Sequence, residues 1–271
     1  MSKVFSLEKR GFSLMYVTIP TTVASDSSRP NGMRCISERS YARVKAGEYL
    51  YFEGDLVENM YEVRSGVLRL TRLLEDGRRQ VIAFGYAGDL VGFPSEGSHH
   101  ADCDVLMDAR LRPIHVSNIE SGNTNPDLHS YLVQAALMEI AAMQDHFMML
   151  GRKSAQEKVA SFLTTLAQRV GQVNGGTTYV NLPMSRADIA DFLGLTTETV
   201  SRTLTQLRKT GLISIHQIHT VTILRPDALT CVSKGQKLLD QTNSNHPQFL
   251  RKTENLTNTQ ADATRKERLC G

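Results

Sequence analysis

The chain has 271 residues, 41% of them apolar and 22% charged, with a formal net charge of +3. That is the balance of an ordinary soluble protein of two modest domains, in which any nucleic-acid binding must come from a local basic surface rather than from overall charge. No window reaches the roughly 18 apolar residues of a membrane span and the N-terminus lacks a compact signal-peptide core, so a cytoplasmic protein without a membrane partner is expected. Cys35, Cys103, Cys231 and Cys270 form no CxxC and no tight pair, which argues against a disulfide framework.

Residues 1–40 mix Ser, Thr, Pro and basic residues without sustained periodicity and read as a flexible arm. From Tyr41 the pattern changes. Short β-leaning runs follow at Tyr49–Phe52, Met60–Val63, Val67–Leu74, Gln80–Phe84 and Val105–Val116, with Asp76-Gly77 as the strongest hairpin signal. They predict an antiparallel barrel or sandwich over 41–125.

Residues 126–152 hold the longest helical candidate, and it is apolar on two sides. Val133, Leu137, Ile140 and Phe147 follow one face; Leu128, Tyr131, Ala135, Met138, Ala142 and Met149 follow another, about 200° away at 100° per residue. Two faces need two neighbours. The first face is expected to pack on the chain's own β-domain. The second is expected to be a dimer seam, where the small Ala135 and Ala142 permit close approach; a helix buried inside one domain is the alternative. A further domain is expected over 153–240. Its first helix, 154–170, has Val159, Phe162, Leu163, Leu166 and Val170 inward and is broken by Gly175-Gly176. Strands follow at Tyr179–Leu182, Leu212–His216 and Thr220–Leu224, then a helix after Pro226 reaching about Leu239. Residues 241–271 read as a flexible polar tail.

Inside that domain, MSRADIADFLGLTTETVSRTLTQLRKTGLI, Met184 to Ile213, is the most specific stretch of the chain. Ser185 caps a first helix that buries Ile189, Ala190 and Leu193, Gly194 supplies a turn, and Thr196 caps a second helix that buries Val200, Leu204 and Leu207. This is a helix-turn-helix. Glu198, Ser201 and Arg202, at i, i+3 and i+4, share one outward face near the start of the second helix, where side chains reach base edges. Glutamate accepts from cytosine N4, arginine forks onto guanine O6 and N7, and serine touches either base type. Arg186, Thr197, Thr199, Thr205, Arg208 and Lys209, with Ser185 and Thr196, are the candidates for backbone contact or support of the motif. A solvated helix with a plain Glu198–Arg202 salt bridge is the bland alternative.

The segment DIADFLGLTTETVSRTLTQLRKTGLI resembles the recognition motif of the Crp/Fnr transcription regulators, and Glu198-Thr199-Val200-Ser201-Arg202 is similar to the E-x-x-S-R of its Fnr/FixK branch. The glycine punctuation Gly47, Gly54-Asp55, Ser65-Gly66, Asp76-Gly77 and Gly88-Asp89 resembles that family's sensory β-roll. The likeness covers roughly residues 40 to 226. It implies an α+β fold: an N-terminal cyclic-nucleotide-binding-like β-roll, a long dimerisation helix and a C-terminal winged helix-turn-helix. It also implies a homodimeric activator of RNA polymerase on double-stranded DNA, at palindromic sites with TTGA-type arms, since the cyclic-AMP branch has an arginine where this chain has Thr197. The hairpin Glu75-Asp76-Gly77-Arg78-Arg79 resembles by position a polymerase-contacting loop.

The chain departs from the family's sensing branches at specific places. An iron–sulfur member needs a group of cysteines ahead of the β-roll and one within it; here Cys35 stands alone and Arg112 occupies the internal position. The cyclic-nucleotide cassette keeps its glycines at Gly88 and Gly92, but SEGSHHADCDV has no Arg-Ser pair for the phosphate. His99, His100 and Cys103 lack a fourth ligand, so no metal and no cofactor is expected. Cys103 is the candidate for any redox sensitivity. A haem-, gas- or small-molecule-responsive regulator of the same family is the alternative function. No GxSxG, P-loop, HExxH or Rossmann fingerprint occurs, so an enzyme is not expected.

Overall fold

A computed structural model describes residues 41–117, 126–217 and 219–236, all within one compact unit. The arm 1–40 and the tail 241–271, with Cys35 and Cys270, lie outside the described residues. The first six strands are β1 (Ala42–Val44), β2 (Tyr49–Tyr51), β3 (Asn59–Leu73), β4 (Arg79–Gly85), β5 (Leu90–Val91) and β6 (Asp102–His115). They form one antiparallel sheet along β1-β6-β3-β4, with β2 also pairing β6 and β5 pairing β3. The two expected runs at 60–63 and 67–74 are a single strand. Its register against β6 shifts on either side of Ser65-Gly66, and Gly66 has φ +94° with a would-be Cβ 2.6 Å from the Ala109 Cα. That glycine is therefore a bulge where two backbones touch, not a turn. Asp76-Gly77 does close a hairpin, with Gly77 N–H donating to the Leu74 carbonyl at 2.8 Å. β1 and β5, three and two residues long, are too short to announce themselves by alternation.

Helix α1 (Pro126–Arg152) packs against the sheet, and its burial differs from the expected use of its two faces. Leu132 and Ala135 pack with Met60, Leu90 and Ile114; Ala142 joins the main β-roll core; Met149 joins the core of the C-terminal part. Ala135, Ala142 and Met149 are thus enclosed within the chain, and Tyr131 packs beside them. Of the five expected seam residues Met138 alone is exposed. Val133, Leu137, Ile140 and Phe147, the set expected to face the β-roll, are left outside, together with Met138, Met143 and Met148. The small alanines do permit a close approach, but the body approached is the chain's own sheet.

The remaining elements are α2 (Ala155–Val170), β7 (Gln172–Asn174), β8 (Thr177–Asn181), α3 (Arg186–Leu193), α4 (Thr197–Lys209), β9 (Ile213–Gln217), β10 (Thr220–Ile223) and α5 (Pro226–Ser233). A capping box starts α2: Ser154 Oγ accepts from Glu157 N–H and the Glu157 carboxylate accepts from Ser154 N–H. The helix ends at Val170; Gly175-Gly176, at φ +57° and +79°, instead turn the β7–β8 hairpin. The second sheet runs β7-β8-β10-β9. α5 stops at Ser233 rather than near 239, its Lys234 N–H closing on the last carbonyls.

The core of this part continues into the β-roll. Phe84 of β4 packs 5.2 Å from Phe192 of α3 and 6.3 Å from Phe162 of α2, centroid to centroid, and the His146 ring of α1 lies 4.5 Å from Phe192. Burying four rings at the meeting point of β4, α1, α2 and α3 makes the two halves share apolar surface, the dominant stabilising term in such contacts. No described helix is long and apolar enough to cross a membrane.

Candidate nucleic-acid interface

Helices α3 and α4 are set by three local devices. Ser185 Oγ accepts from Asp188 N–H at 3.1 Å while Asp188 Oδ2 accepts from Ser185 N–H at 2.9 Å, so both free ends of the first turn are satisfied. Gly194 turns the chain in the left-handed region, φ 59° and ψ 47°, and its N–H donates to the Ala190 carbonyl. Thr196 Oγ1 then accepts from Thr199 N–H at 3.1 Å and starts α4. Val200, Leu204 and Leu207 are buried, as their spacing requires.

The outer face of α4 carries the expected trio. Glu198 and Arg202 are each 80% exposed, with 3.6 Å between Oε1 and Nη1. Such a loose exposed pair contributes little to stability and leaves both groups able to turn to another partner. Ser201 is exposed and donates Oγ–H to the Thr197 carbonyl at 2.9 Å, and Thr205, half-buried, does the same to the Ser201 carbonyl. Thr197, Arg208 and Lys209 are exposed; Thr199 and Arg186 are half-buried. Asp188 and Glu198 in the first turns, and Arg208 and Lys209 in the last turn of α4, complement the two helix dipoles. At the β9–β10 turn His219 Nδ1–H donates to the Leu182 carbonyl, 3.0 Å away, so that ring helps hold the wing.

The rear of α3 shows residues that the sequence reading missed. Asp188 Oδ1 receives Arg69 Nη1 at 2.5 Å and Arg79 Nη2 at 2.7 Å, both from the β-roll. Arg69 is held from behind by Asp104, through Nε at 3.0 Å and Nη2 at 2.9 Å. Arg79 also reaches Asp191 Oδ2, at 3.0 Å from Nε and 2.8 Å from Nη2, and Gln80 donates its amide to the Asp191 carbonyl. Burial alone would raise the Asp188 carboxyl's pKa. The Ser185 hydrogen bonds and the Arg69 guanidinium outweigh that and hold it below the usual carboxylate range. The available signal was two aspartates, Asp188 and Asp191, on a helix meant to lie near DNA phosphates, where unpaired carboxylates would repel.

Elsewhere in the β-roll several expectations change. Arg79 belongs to this contact with α3, so it leaves the expected polymerase loop; Arg78 and Asp76 at the tip pair with each other at 2.7 Å and are exposed. Cys103 is fully buried in the β-roll core, and burial pushes its thiol far above the ordinary range, so it is no redox handle. The His99 ring stacks on Tyr51 at 3.6 Å, and no group of three or more metal-binding side chains occurs among the described residues. Arg112 is buried against Glu62 at 2.5 Å. Residues 92–101, the cassette segment, contain no arginine or lysine, and Ala101 and His99 are the buried side chains there.

Comparison with known proteins agrees with this architecture. Residues 157–232 match the Crp-like helix-turn-helix domain and residues 41–118 match the cyclic nucleotide-binding domain. The chain is 38% identical to the nitrogen fixation regulation protein FixK of Rhizobium meliloti over 191 residues, covering 70% of this chain and 86% of that one. It is 39% identical to the transcriptional activatory protein AadR of Rhodopseudomonas palustris, covering 66% and 76%. The solved structure of FixK2 from Bradyrhizobium japonicum superposes with a TM-score of 0.66 at 33% identity, covering 73% of this chain and 98% of that one. The fold is therefore the β-roll, long helix and helix-turn-helix that the sequence implied, and the chain belongs to the Crp/Fnr family of transcription regulators, DNA-binding proteins and not enzymes.

Proposed function

We propose that this regulator binds as a homodimer to a palindromic site with TTGA-type arms and activates transcription from the cytoplasm. Residues 41–125 act as the β-roll, 126–152 as the dimerisation helix and 153–240 as the DNA-binding domain. The observation that carries the reading is the outer face of α4, where Glu198 and Arg202 stand 80% exposed on a helix whose rear is fully packed. In a major groove these two side chains meet cytosine and guanine edges, with Ser201 beside them, while Thr197, Thr205, Arg208 and Lys209 lie close enough to the same surface to meet phosphates. Dimerisation uses the exposed stripe Val133, Leu137, Ile140 and Phe147 of α1, which on a monomer would be an apolar strip in water. The activator assignment draws on the names of two relatives, a transcriptional activatory protein and a probable transcriptional activator, and assigns RNA polymerase contact to the exposed tip Glu75, Asp76, Gly77 and Arg78.

Selection from random duplex DNA tests the reading. Wild-type protein should enrich a palindrome with arms about one helical turn apart. Arg202→Ala should bind about 1 to 3 kcal/mol more weakly and lose base preference at one position per arm. Enrichment of a non-palindromic site, or an unchanged preference in the variant, would reject it.

A further inference from the structure

The carboxylate of Asp188 is divided between two tasks. Its Oδ2 is committed to Ser185, accepting from N–H at 2.9 Å and from Oγ–H at 2.7 Å; its Oδ1 is committed to Arg69 and Arg79. One side chain thus caps the supporting helix of the DNA-binding motif and ties that helix to β3 and β4. The tie restrains direction as well as distance, because Arg69 forks onto both oxygens of Asp104 and Arg79 brings two nitrogens onto Asp191 Oδ2. The Arg69 side chain is only 17% exposed and those of Asp104 and Asp188 less, so solvent screens this cluster far less than a surface pair. It sits at the rim of the shared core around Phe84 and Phe192. The Gly194 turn and the packing of both helices into one core join α3 firmly to α4, so whatever fixes α3 fixes the recognition helix.

We propose that Arg69 and Arg79 are positioning residues for DNA recognition: through Asp188 and Asp191 they set the angle of the recognition helix to the β-roll. In a dimer joined through α1 the β-rolls are the common frame, so this angle sets the distance between the two recognition helices. The spacing of DNA half-sites that the protein accepts is therefore chosen by residues far from any base. The proposal rests on the dimeric, palindromic reading above.

The test measures binding of the full-length protein to duplexes whose TTGA arms are held at the selected spacing or moved by one or two base pairs either way. Wild type should lose about tenfold or more in affinity one base pair from its optimum, equivalent to about 1.4 kcal/mol. The Arg69→Gln/Arg79→Gln variant should show a flattened profile, and Arg79→Lys, which keeps the charge without the fork, should flatten it less than Arg79→Gln. The shape of the profile is read rather than absolute affinity, because removing positive charge near DNA lowers binding at every spacing. A double variant that keeps the wild-type profile, or loses affinity equally at every spacing, overturns the positioning role and leaves the dimeric reading standing. A flat wild-type profile overturns the dimeric reading and this proposal with it. If the double variant does not fold, Arg79→Gln alone, at a side chain 34% exposed, must flatten the profile in part, and an unchanged profile counts against the proposal.

Discussion

Ile140 and Ala142 stand two positions apart on α1 and face opposite ways, Ile140 being 52% exposed and Ala142 fully enclosed against the β-roll. A charge at each position should therefore fail differently. Ile140→Glu should leave the fold intact and move the protein from dimer to monomer at low micromolar concentration, with operator binding falling alongside. Ala142→Glu should unfold or strongly destabilise the chain, because it buries a carboxylate and overpacks a closed site. Sedimentation and thermal unfolding of the two variants separate these effects. A stable, dimeric Ile140→Glu protein would show that the exposed stripe is not the seam.

Removing the Ser185 cap should cost more than removing an isolated one. Ser185→Ala loses the hydroxyl that accepts from Asp188 N–H and donates to Asp188 Oδ2. A helix cap is worth about 1 kcal/mol. Ser154→Ala, at a cap not tied to the β-roll, should show that amount in urea unfolding, and Ser185→Ala should exceed it by a few tenths to about 1 kcal/mol. Equal losses would mean that the shared carboxylate adds nothing.

His146 should give the protein a pH dependence. Burial, with a smaller push from the Lys158 charge, lowers its pKa to about 4, against 6.5 in an unfolded chain. Between those values the unfolded chain takes up a proton that the folded one refuses. Stability from this group is therefore complete above about pH 6.5 and declines as pH falls towards 4, by up to about 3 kcal/mol. His146→Leu should flatten that slope in denaturation curves taken from pH 7 to 4. A slope that persists unchanged would assign it to other groups.

Thiol chemistry should bypass Cys103. Its side chain is enclosed and its thiolate disfavoured by burial, whereas Cys231 on α5 is partly exposed. Brief alkylation of the native protein followed by peptide mapping should modify Cys231 and leave Cys103 untouched until denaturant is added. Rapid native labelling of Cys103 would mean that the β-roll core opens readily.

The recognition face was legible in the sequence because its determinants are local. Caps, a turn glycine and the spacing of Val200, Leu204 and Leu207 lie within thirty residues, and a polar trio at helical spacing needs no distant partner to point outward. The β-roll was legible as strands and turns, but Gly66 read only as punctuation between two short strands because nothing near it in sequence shows that the backbone of Ala109 lies against it.

Periodicity likewise found both apolar stripes of α1 but not which of them the chain's own sheet covers. It reports that a face is apolar, not which body covers it, and alanines suit a tight helix–sheet contact as well as a helix–helix one. The cluster of Arg69, Arg79, Asp104, Asp188 and Asp191 was invisible for the same reason, and Arg79 was read instead as part of the hairpin loop: residues about 110 positions apart meet only once β4 and α3 are packed. Sequence determined which helix carries a polar outer face, because that depends on a few neighbouring side chains; tertiary structure decided what holds that helix in place, because ion pairs and burial are properties of surfaces brought together by folding.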